Sequence, residues 1–199
     1  MKKTSVASIY GDLDVEVELD ASIGAQSWFN AGGTADVLLH PAGIEDVAEI
    51  IKRCRRTDTP VRILGEGANL LISDEGVDGI VIKLDASAFK AIEFNADGNL
   101  ELMRVGAGAD MARTLMDATR RGLSGLAQMA GIPASIGGAL RMNAGGAFGS
   151  IGDSVEAVAC MARNGEVKVY PQSELSFEYR HTNIPNGIID LDIIESISW

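Results

Sequence analysis

The stretch Pro60-Val61-Arg62-Ile63-Leu64-Gly65-Glu66-Gly67-Ala68-Asn69 decides the fold, because it joins a predicted buried strand directly to a glycine-containing loop. Residues 60–64 have the apolar and β-branched character of a strand, and residues 69–72 are predicted to continue it. Successive backbone N–H groups in such a turn form a concave nest that can hold an anion. The loop is not the Walker A phosphate-binding loop of nucleoside triphosphatases, and it is not the dinucleotide-binding fingerprint that opens a helix. Taken alone, this loop is compatible with two interpretations, a ligand-binding loop and an ordinary turn.

The segments around this stretch predict a small α/β unit. Apolar residues at helical spacing indicate a helix over 44–57, with acidic side chains in its first turn and basic ones in its last. Strands are predicted on either side, at 35–40 and 79–84. The acidic segment 1–30 is interpreted as a short strand or an extended arm.

A second unit is predicted after residue 90. It comprises a hairpin over 91–105, a helix over 111–121 capped by Asp110 and stopped by Gly122, a hairpin over 155–170 with Asn164-Gly165 as a primed turn, a short helical turn over 173–177, and a closing strand over 188–199. The stretch between the helix and the second hairpin, residues 122–153, shows no regular pattern. A structureless segment of that length inside a compact domain is usually functional.

Glycine is the compositional anomaly, with 23 in 199 residues against an average of about 7%. The glycines cluster at 65–67, 106–108, 122–125, 131–138 and 145–152. Clustered glycine in an apolar chain indicates close approach of the backbone to something, or tight turns. The second candidate loop is Gly131-Ile132-Pro133-Ala134-Ser135-Ile136-Gly137-Gly138, continued by Asn143-Ala144-Gly145. Main-chain donors there could reach a ring or a phosphate, while tight packing between elements or a surface loop is the alternative.

Composition narrows the function classes. The formal charge of −11, without a basic stripe, disfavours nucleic-acid binding. No apolar run is long enough to cross a bilayer, and the acidic N-terminal segment lacks the apolar region of an export signal. Two cysteines and two histidines fit a reducing, cytoplasmic setting and predict no metal site. The motifs of serine hydrolases and zinc proteases are absent.

A third pattern is Phe177-Glu178-Tyr179-Arg180-His181-Thr182. Arg180 beside an aromatic residue could neutralise a carboxylate or a developing enolate. On spacing alone, a surface salt bridge is the better interpretation of Arg180.

Taken in order, these motifs resemble those of the bacterial UDP-N-acetylenolpyruvoylglucosamine reductase family. The resemblance rests on residues 29–35 (Phe-Asn-Ala-Gly-Gly-Thr-Ala), 63–70, 131–145 and 177–182, and it extends over about 28–199. It implies an α+β fold, the FAD-binding domain of the vanillyl-alcohol-oxidase (PCMH) type with two α/β subdomains. The expected boundaries are 1–85, with the N-terminal arm, and 86–199, and the family's C-terminal substrate domain is expected to be absent.

The resemblance also implies FAD as cofactor, NADPH as hydride donor and a UDP-sugar as substrate, in peptidoglycan precursor synthesis. Arg180 is then the expected catalytic residue, and with Tyr179 it would bind the substrate, which reverses the salt-bridge interpretation. The expected cofactor-binding residues are Leu64, Gly65, Glu66, Gly67, Ala68, Asn69, Leu70, Gly131, Ile132, Pro133, Ala134, Ser135, Ile136, Gly137, Gly138, Asn143, Ala144, Gly145 and Ile188.

Two positions depart from the family pattern: Ala68 stands where serine is usual, and Ala134 where glycine is usual. Both side chains are small, so the backbone donors stay in place. No residue of this chain can be assigned the family's serine or cysteine proton donor or its late glutamate. Two other readings stay open, a flavin-binding module that is inactive alone and another oxidoreductase on the same fold. The sequence does not indicate an oligomeric state.

Overall fold

The computed structural model describes residues 3–184 and 192–197, and the first part of that chain forms a four-stranded mixed sheet. Its elements are α1 (Lys3–Tyr10), β1 (Val15–Ala21), β2 (Ala35–Pro41), α2 (Ile44–Arg56), β3 (Val61–Leu64) and β4 (Val77–Lys83). The strand order is β1-β2-β4-β3, with β1 and β2 antiparallel and both β2 and β3 parallel to β4. The predicted strands and the predicted helix of this unit are confirmed to within two residues, apart from the proposed continuation at 69–72.

Helix α2 covers one face of this sheet because its apolar residues share a single stripe. Val47, Ile50, Ile51 and Cys54 are buried. Glu45 and Asp46 lie in the first turn, and Arg53, Arg55 and Arg56 in the last, which complements the helix dipole as predicted. The buried stripe packs against Leu39, Ile80 and Ile82 of the two central strands.

The second part of the chain forms a five-stranded sheet and several short elements. They are β5 (Ile92–Phe94), β6 (Met103–Val105), α3 (Met111–Arg120), α4 (Ile136–Arg141), β7 (Gly145–Gly146), β8 (Gly149–Ser150), β9 (Val155–Met161), β10 (Val167–Pro171), β11 (Ser176–Glu178), β12 (His181–Asn183) and β13 (Asp192–Ile197). The sheet order is β10-β9-β13-β6-β5, entirely antiparallel. β7 with β8, and β11 with β12, form separate small hairpins.

Helix α3 begins at the predicted residue and ends at Arg120, one residue before the predicted end. The Asp110 carboxylate accepts a hydrogen bond from the N–H of Arg113 at 2.7 Å, which satisfies a donor of the first turn. Gly122 adopts a φ of +82°, the left-handed conformation that commonly follows a helix. Met111 and Ala118 face a core that also contains Met103, Leu126 and Tyr170.

The two sheets share part of a core where the chain passes from one to the other. Phe89, Ala107 and Met161, which belong to the second part by sequence, pack into the core of the first sheet. Gly108 lies so close to the carbonyl of Leu84 that an added Cβ would overlap that oxygen. In the described part of the chain, no helix has the length and apolar character needed to span a bilayer.

Four local predictions are wrong. Within the segment 1–30, residues 3–10 form a helix that was not predicted, although β1 confirms a short strand there. Residues 69–72 are a loop, and strand β3 ends at Leu64. The segment 122–153 contains α4, β7 and β8 instead of lacking regular structure. The turn before β10 is not primed: the N–H of Gly165 donates to Ala162, and only Gly165 of the Asn164-Gly165 pair has a positive φ.

The end of the chain is described only in part. A 3-10 turn occupies Gln172–Glu174, one residue earlier than the predicted helical turn, and residues 176–178 are a strand. β13 lies within the predicted closing strand, whereas Ile188, an expected cofactor residue, lies outside the described residues.

Candidate functional site

The first glycine loop leaves its backbone donors pointing away from regular structure. It follows β3 directly, and Gly67, at a φ of +66°, reverses the chain against residues 26 and 27. The carbonyl of Gly67 accepts from Trp28 at 3.1 Å, which ties the loop to the preceding segment. The N–H groups of residues 66–69 have no acceptor among the residues that the structure describes. Such unpaired donors beside a residue of positive φ are what the predicted nest requires.

The second glycine loop is held against residues 107–111. The N–H of Ile136 donates to Ala109 at 2.9 Å, and that of Gly137 donates to Ala107 at 2.8 Å. Ser135 caps α4 by accepting from Gly138 at 3.3 Å. The donors at residues 136–138 therefore bind the protein itself, contrary to the expectation that they reach a ligand. The N–H groups of Ala134 and Ser135 lack such an acceptor within the described ranges.

The two loops meet at one residue pair. A Cβ added to Gly65 would lie 2.5 Å from Oγ of Ser135, far inside van der Waals contact. Glycine at position 65 therefore lets the turn after β3 approach the start of α4. Two patterns 70 residues apart in the sequence thus form one wall.

A cavity of about 370 Å³ opens where the loops meet, between the first sheet and the second part of the chain. Eleven of the predicted cofactor residues line it: Leu64, Gly65, Glu66, Gly67, Ala68, Asn69, Leu70, Ala134, Ser135, Gly137 and Gly138. Its other lining residues were not among the predicted cofactor residues: Ile63, Lys83, Leu84, Asp85, Lys90, Ala107, Gly108, Arg141 and Met142. Of these, Ile63, Arg141 and Met142 lie within the motif stretches 63–70 and 131–145, and the glycine cluster at 106–108 was the signal for Ala107 and Gly108.

The charged residues of the cavity come from three different elements. Lys83, Lys90 and Arg141 supply positive charge, against Glu66 and Asp85. Nζ of Lys83 donates to Oε1 of Gln26 at 2.8 Å. Oδ2 of Asp85 lies 2.9 Å from Nδ1 of His40, whose Nε2 lies 3.0 Å from Glu18. These contacts fix the charged rim to strands β1, β2 and β4. The cavity can therefore hold an anion locally although the chain as a whole is acidic.

The other predicted cofactor residues that the structure describes do not line this cavity: Gly131, Ile132, Pro133, Ile136, Asn143, Ala144 and Gly145. Ile136 and Ala144 belong to the core of the second part. The Asn143 side chain bonds backbone groups on two sides, donating to Glu178 at 3.0 Å and accepting from Gly152 at 3.2 Å.

Tyr179 and Arg180 occupy the tip of the β11–β12 hairpin and are exposed. The Arg180 guanidinium lies 5.5 Å from the centre of the Tyr179 ring. It forms no ion pair with any residue that the structure describes. The surface salt bridge considered for Arg180 is therefore not seen in that part of the chain, and neither side chain lines the cavity.

Comparison with known proteins agrees with this architecture. Residues 35–170 match a family model described as FAD binding domain. A UDP-N-acetylenolpyruvoylglucosamine reductase from Methylorubrum populi is 38% identical over 168 residues, covering 84% of this chain and 53% of the relative. The chain therefore spans about half the length of that relative. The resemblance that the motifs indicate is confirmed at this level.

Solved structures share the fold. A UDP-N-acetylenolpyruvylglucosamine reductase from Thermus caldophilus superposes with a TM-score of 0.72 at 35% identity, covering 92% of this chain and 60% of that one. A 6-hydroxy-D-nicotine oxidase from Arthrobacter nicotinovorans gives 0.65 at 15% identity, covering 94% of this chain and 43% of the oxidase. Together with the family match, these likenesses confirm the predicted fold class, the FAD-binding domain of the PCMH type.

Proposed function

This chain belongs to the family of FAD binding domains, and we propose that it holds FAD in the cavity between its first sheet and the second part of the chain. The observation that carries the proposal is the meeting of the two glycine loops at Gly65 and Ser135, which forms one wall of that cavity. The proposed cofactor contacts are residues 64–70 and 131–138 with Ala144, Gly145 and Ile188, and the residues that line the cavity are the best supported of these.

The fit of the residues to a dinucleotide is supported by the donors and charges of the first loop. Four consecutive N–H groups, residues 66–69, have no acceptor in the described chain. Hydrogen bonds from such groups to a charged oxygen are worth about 1.5–3 kcal/mol each, which suits a pyrophosphate. Lys83, Lys90 and Arg141 offset the acidic residues nearby. Small side chains at positions 68 and 134 keep the backbone accessible.

As the activity, we propose NADPH-dependent reduction of UDP-N-acetylglucosamine enolpyruvate to UDP-N-acetylmuramate, a cytoplasmic step of peptidoglycan precursor synthesis. The support is the name of the relatives and the order of the shared motifs. When bound, FAD supplies the relay of a hydride from NADPH to the enolpyruvyl carbon. Arg180, with a guanidinium that has no ion-pair partner in the described chain, would bind the substrate carboxylate and stabilise the enolate-like charge beside Tyr179.

The subdomain boundaries of 1–85 and 86–199 are part of this proposal. They are supported by the positions of the sheets, since β1–β4 end at Lys83 and β5 begins at Ile92. A second candidate is a flavin-binding module that is inactive alone, which the match to an FAD binding domain supports equally well. A third candidate is an oxidoreductase that acts on another substrate, because an oxidase has the same fold as this chain.

One series of measurements separates these candidates. FAD is titrated into the apoprotein and followed by flavin absorbance and calorimetry, and absence of binding would remove the cofactor assignment. NADPH oxidation is then measured with and without UDP-N-acetylglucosamine enolpyruvate. Substrate-dependent turnover supports the reductase. FAD binding without turnover supports the module, and reoxidation of reduced flavin by other acceptors alone supports the third candidate.

Arg180→Ala is expected to leave FAD affinity unchanged and to lower turnover by about 100-fold or more, the range seen when one electrostatic donor to a developing oxyanion is removed. If the chain turns over only with a further polypeptide, the assay includes it. Arg163→Ala, on the β9–β10 connection, is the matched control for removal of one arginine. Wild-type turnover in Arg180→Ala would remove Arg180 from the reaction.

A further inference from the structure

The hairpin that carries Arg180 has an unusual tip. Glu178 pairs with His181, so that only Tyr179 and Arg180 form the turn. Arg180 has a φ of +58°, in the left-handed region that arginine seldom adopts. Residues held in such conformations persist only where their surroundings impose them, and they are concentrated at functional sites. The contacts that impose this conformation are therefore of functional interest.

One anchor is Asn143, just after α4. Its Nδ2 donates to the carbonyl of Glu178 at 3.0 Å, at the residue that enters the turn. Its Oδ1 accepts from the N–H of Gly152 at 3.2 Å, so that both ends of the amide are bound. Asn143 itself has a φ of +39°, which asparagine tolerates better than most residues. The Phe177 ring packs so tightly on Gly152 that a Cβ there would lie 2.5 Å from it.

The second anchor is Thr182, on the strand that leaves the turn. Thr182 is fully buried, and its Oγ1 donates to the carbonyl of Leu140 at 2.5 Å. Nη1 of Arg141 donates in turn to the carbonyl of Thr182 at 3.3 Å. Leu140 and Arg141 are the last residues of α4, and Arg141 lines the cavity. Both strands of the hairpin are thus bound to the helix that forms the cavity wall.

We propose that Asn143 and Thr182 are positioning residues that fix the Arg180 turn relative to the cavity. Asn143 then acts through Arg180, and its place among the expected FAD contacts reflects its neighbourhood and not contact with the cofactor. The inference rests on the proposed function for the role of Arg180, whereas the anchoring itself is independent of any activity. Without the anchors, an exposed two-residue turn would sample many orientations. Binding of a carboxylate would then have to order the turn, and the lost conformational entropy would weaken that binding.

The test compares Asn143→Ala, Asn143→Gly and Asn95→Ala in the full chain. Glycine at 143 removes the side-chain carboxamide and adopts a positive φ without strain. Asn143→Gly therefore still tests the proposal if the alanine variant folds poorly. Asn95, exposed and at a φ of +59° in the β5–β6 connection, is the matched control for the left-handed backbone alone. Amide hydrogen exchange of residues 176–183, FAD affinity and thermal stability are measured for each variant.

Both Asn143 variants are expected to raise hydrogen exchange of residues 176–183 by about tenfold or more, the effect of losing hydrogen bonds worth about 1 kcal/mol each. FAD affinity stays within about threefold of the wild-type value, and Asn95→Ala changes neither quantity. Unchanged exchange in the Asn143 variants would overturn the proposal. A loss of FAD affinity of tenfold or more would also overturn it, and would return Asn143 to the cofactor site.

The link to Arg180 is tested by a double-mutant cycle in any preparation that turns over. Asn143→Gly is expected to lower turnover in the wild-type background and to have no further effect in Arg180→Ala. An equal loss in both backgrounds would contradict action through Arg180. Thr182→Ser, which keeps the hydroxyl, should retain activity that Thr182→Val loses. If the chain binds FAD but never reduces the substrate, only the proposed reductase function fails. The hydrogen-exchange measurements still test whether Asn143 anchors the turn.

Discussion

Gly65 and Ser135 show how a single hydrogen atom in place of a side chain joins two distant parts of the chain. The Ser135 hydroxyl accepts from Gly138 and so is held in place as the cap of α4. The turn after β3 comes within contact of that hydroxyl only because residue 65 has no Cβ. The cavity wall thus depends on the identity of one residue in each loop.

Gly65→Ala is expected to weaken FAD binding by about 5- to 150-fold, because overpacking of this kind costs about 1–3 kcal/mol. Fluorescence titration of FAD measures the effect. Gly146→Ala is the matched control, since an added Cβ meets nothing within 4 Å at that glycine and its φ is not positive. Adding Ser135→Ala to Gly65→Ala should restore part of the affinity. Wild-type affinity in Gly65→Ala would show that the two loops need not meet.

Cys54 is expected to be inert towards thiol reagents in the folded protein. Burial raises the pKa of its thiol to about 12, so at pH 8 about one molecule in ten thousand carries the reactive thiolate. Cys160 is also buried. Ellman's reagent at pH 8 should release no colour from the native chain and two equivalents after unfolding in guanidinium. Rapid labelling of the native protein would show that the α2 face opens readily.

The residues of the site can be predicted from the sequence only where they are neighbours along the chain. Residues 65–70 form one continuous loop directly after the end of β3 at Leu64, so one local sequence pattern finds all of them. Lys83, Lys90 and Arg141 come from the ends of separate elements, and their approach depends on how the two sheets meet. The donors of residues 136 and 137 were misjudged for the same reason, because their acceptors lie some 30 residues away.

At the scale of elements, helix α1 depends on a contact made by α2. Nη1 of Arg53 donates to the carbonyls of Ser8 and Ile9 at 3.4 and 3.3 Å, at the end of α1. Its guanidinium also binds Asp12, with 3.0 Å between Nη2 and Oδ2, and Nε donates to Glu49 at 2.8 Å. Ile9 is buried against the first sheet. Tertiary contacts stabilise this short helix.

Acidification is expected to loosen residues 3–12 before the rest of the fold. The hydrogen bond from Arg53 lowers the pKa of Asp12 and of Glu49 below their ordinary values. A carboxylate with a lowered folded pKa contributes stability above its unfolded pKa of about 4, and that contribution is lost as the pH falls through the folded value. The protection factor of residues 3–12, which is the intrinsic exchange rate at each pH divided by the observed rate, should therefore fall between pH 6 and pH 3.

Arg53→Ala should lower the protection factors of residues 3–12 at both pH 6 and pH 3. Arg55 is an exposed arginine of the same helix, and Arg55→Ala should behave like the wild type. Because Asp12 is exposed and Glu49 is only partly buried, the change in global stability should be small. Protection of residues 3–12 that is independent of pH and of Arg53 would contradict this account.

The predictability of elements follows the same physics. Helices α2 and α3 carry an apolar stripe, a start signal and an end signal, so periodicity is sufficient to find them. Helix α4 has six residues with two glycines and is stabilised by the Ser135 cap and by burial of Ile136 and Leu140. The helix α1 has no acidic residue in its first turn and no basic residue in its last. Elements that owe their stability to distant partners leave no local pattern.

For the molecule as a whole, the two sheets are joined by more than the chain between them. Phe89, Ala107 and Met161 complete the core of the first sheet, although they follow residue 85 in sequence. The proposed boundary at 85 and 86 therefore separates the strands but not the packing. The fold class could be predicted because the motifs occur in a specific order. The shared core could not, because nothing in a local window indicates which sheet a buried side chain joins.

A cofactor bound in the cavity between the first sheet and the second part of the chain should stabilise both parts together. The lining comes from β3 and the loop after it on one side, and from residues 107–108 and 134–142 on the other. A ligand at 100 times its dissociation constant contributes about 2.7 kcal/mol to the folded state. For a chain of this size, that corresponds to a rise of roughly 5–10 °C in Tm. Differential scanning calorimetry with and without excess FAD measures the shift.

The location of the effect tests the arrangement more sharply than its size. Hydrogen exchange should slow on FAD addition in residues 64–70 and also in residues 134–142, since one molecule contacts both. FMN, which lacks the adenylate half, should protect fewer of these amides and raise Tm less. Protection confined to one of the two segments would mean that FAD lies on one sheet alone. The meeting of Gly65 and Ser135 would then be a packing contact without a role in cofactor binding.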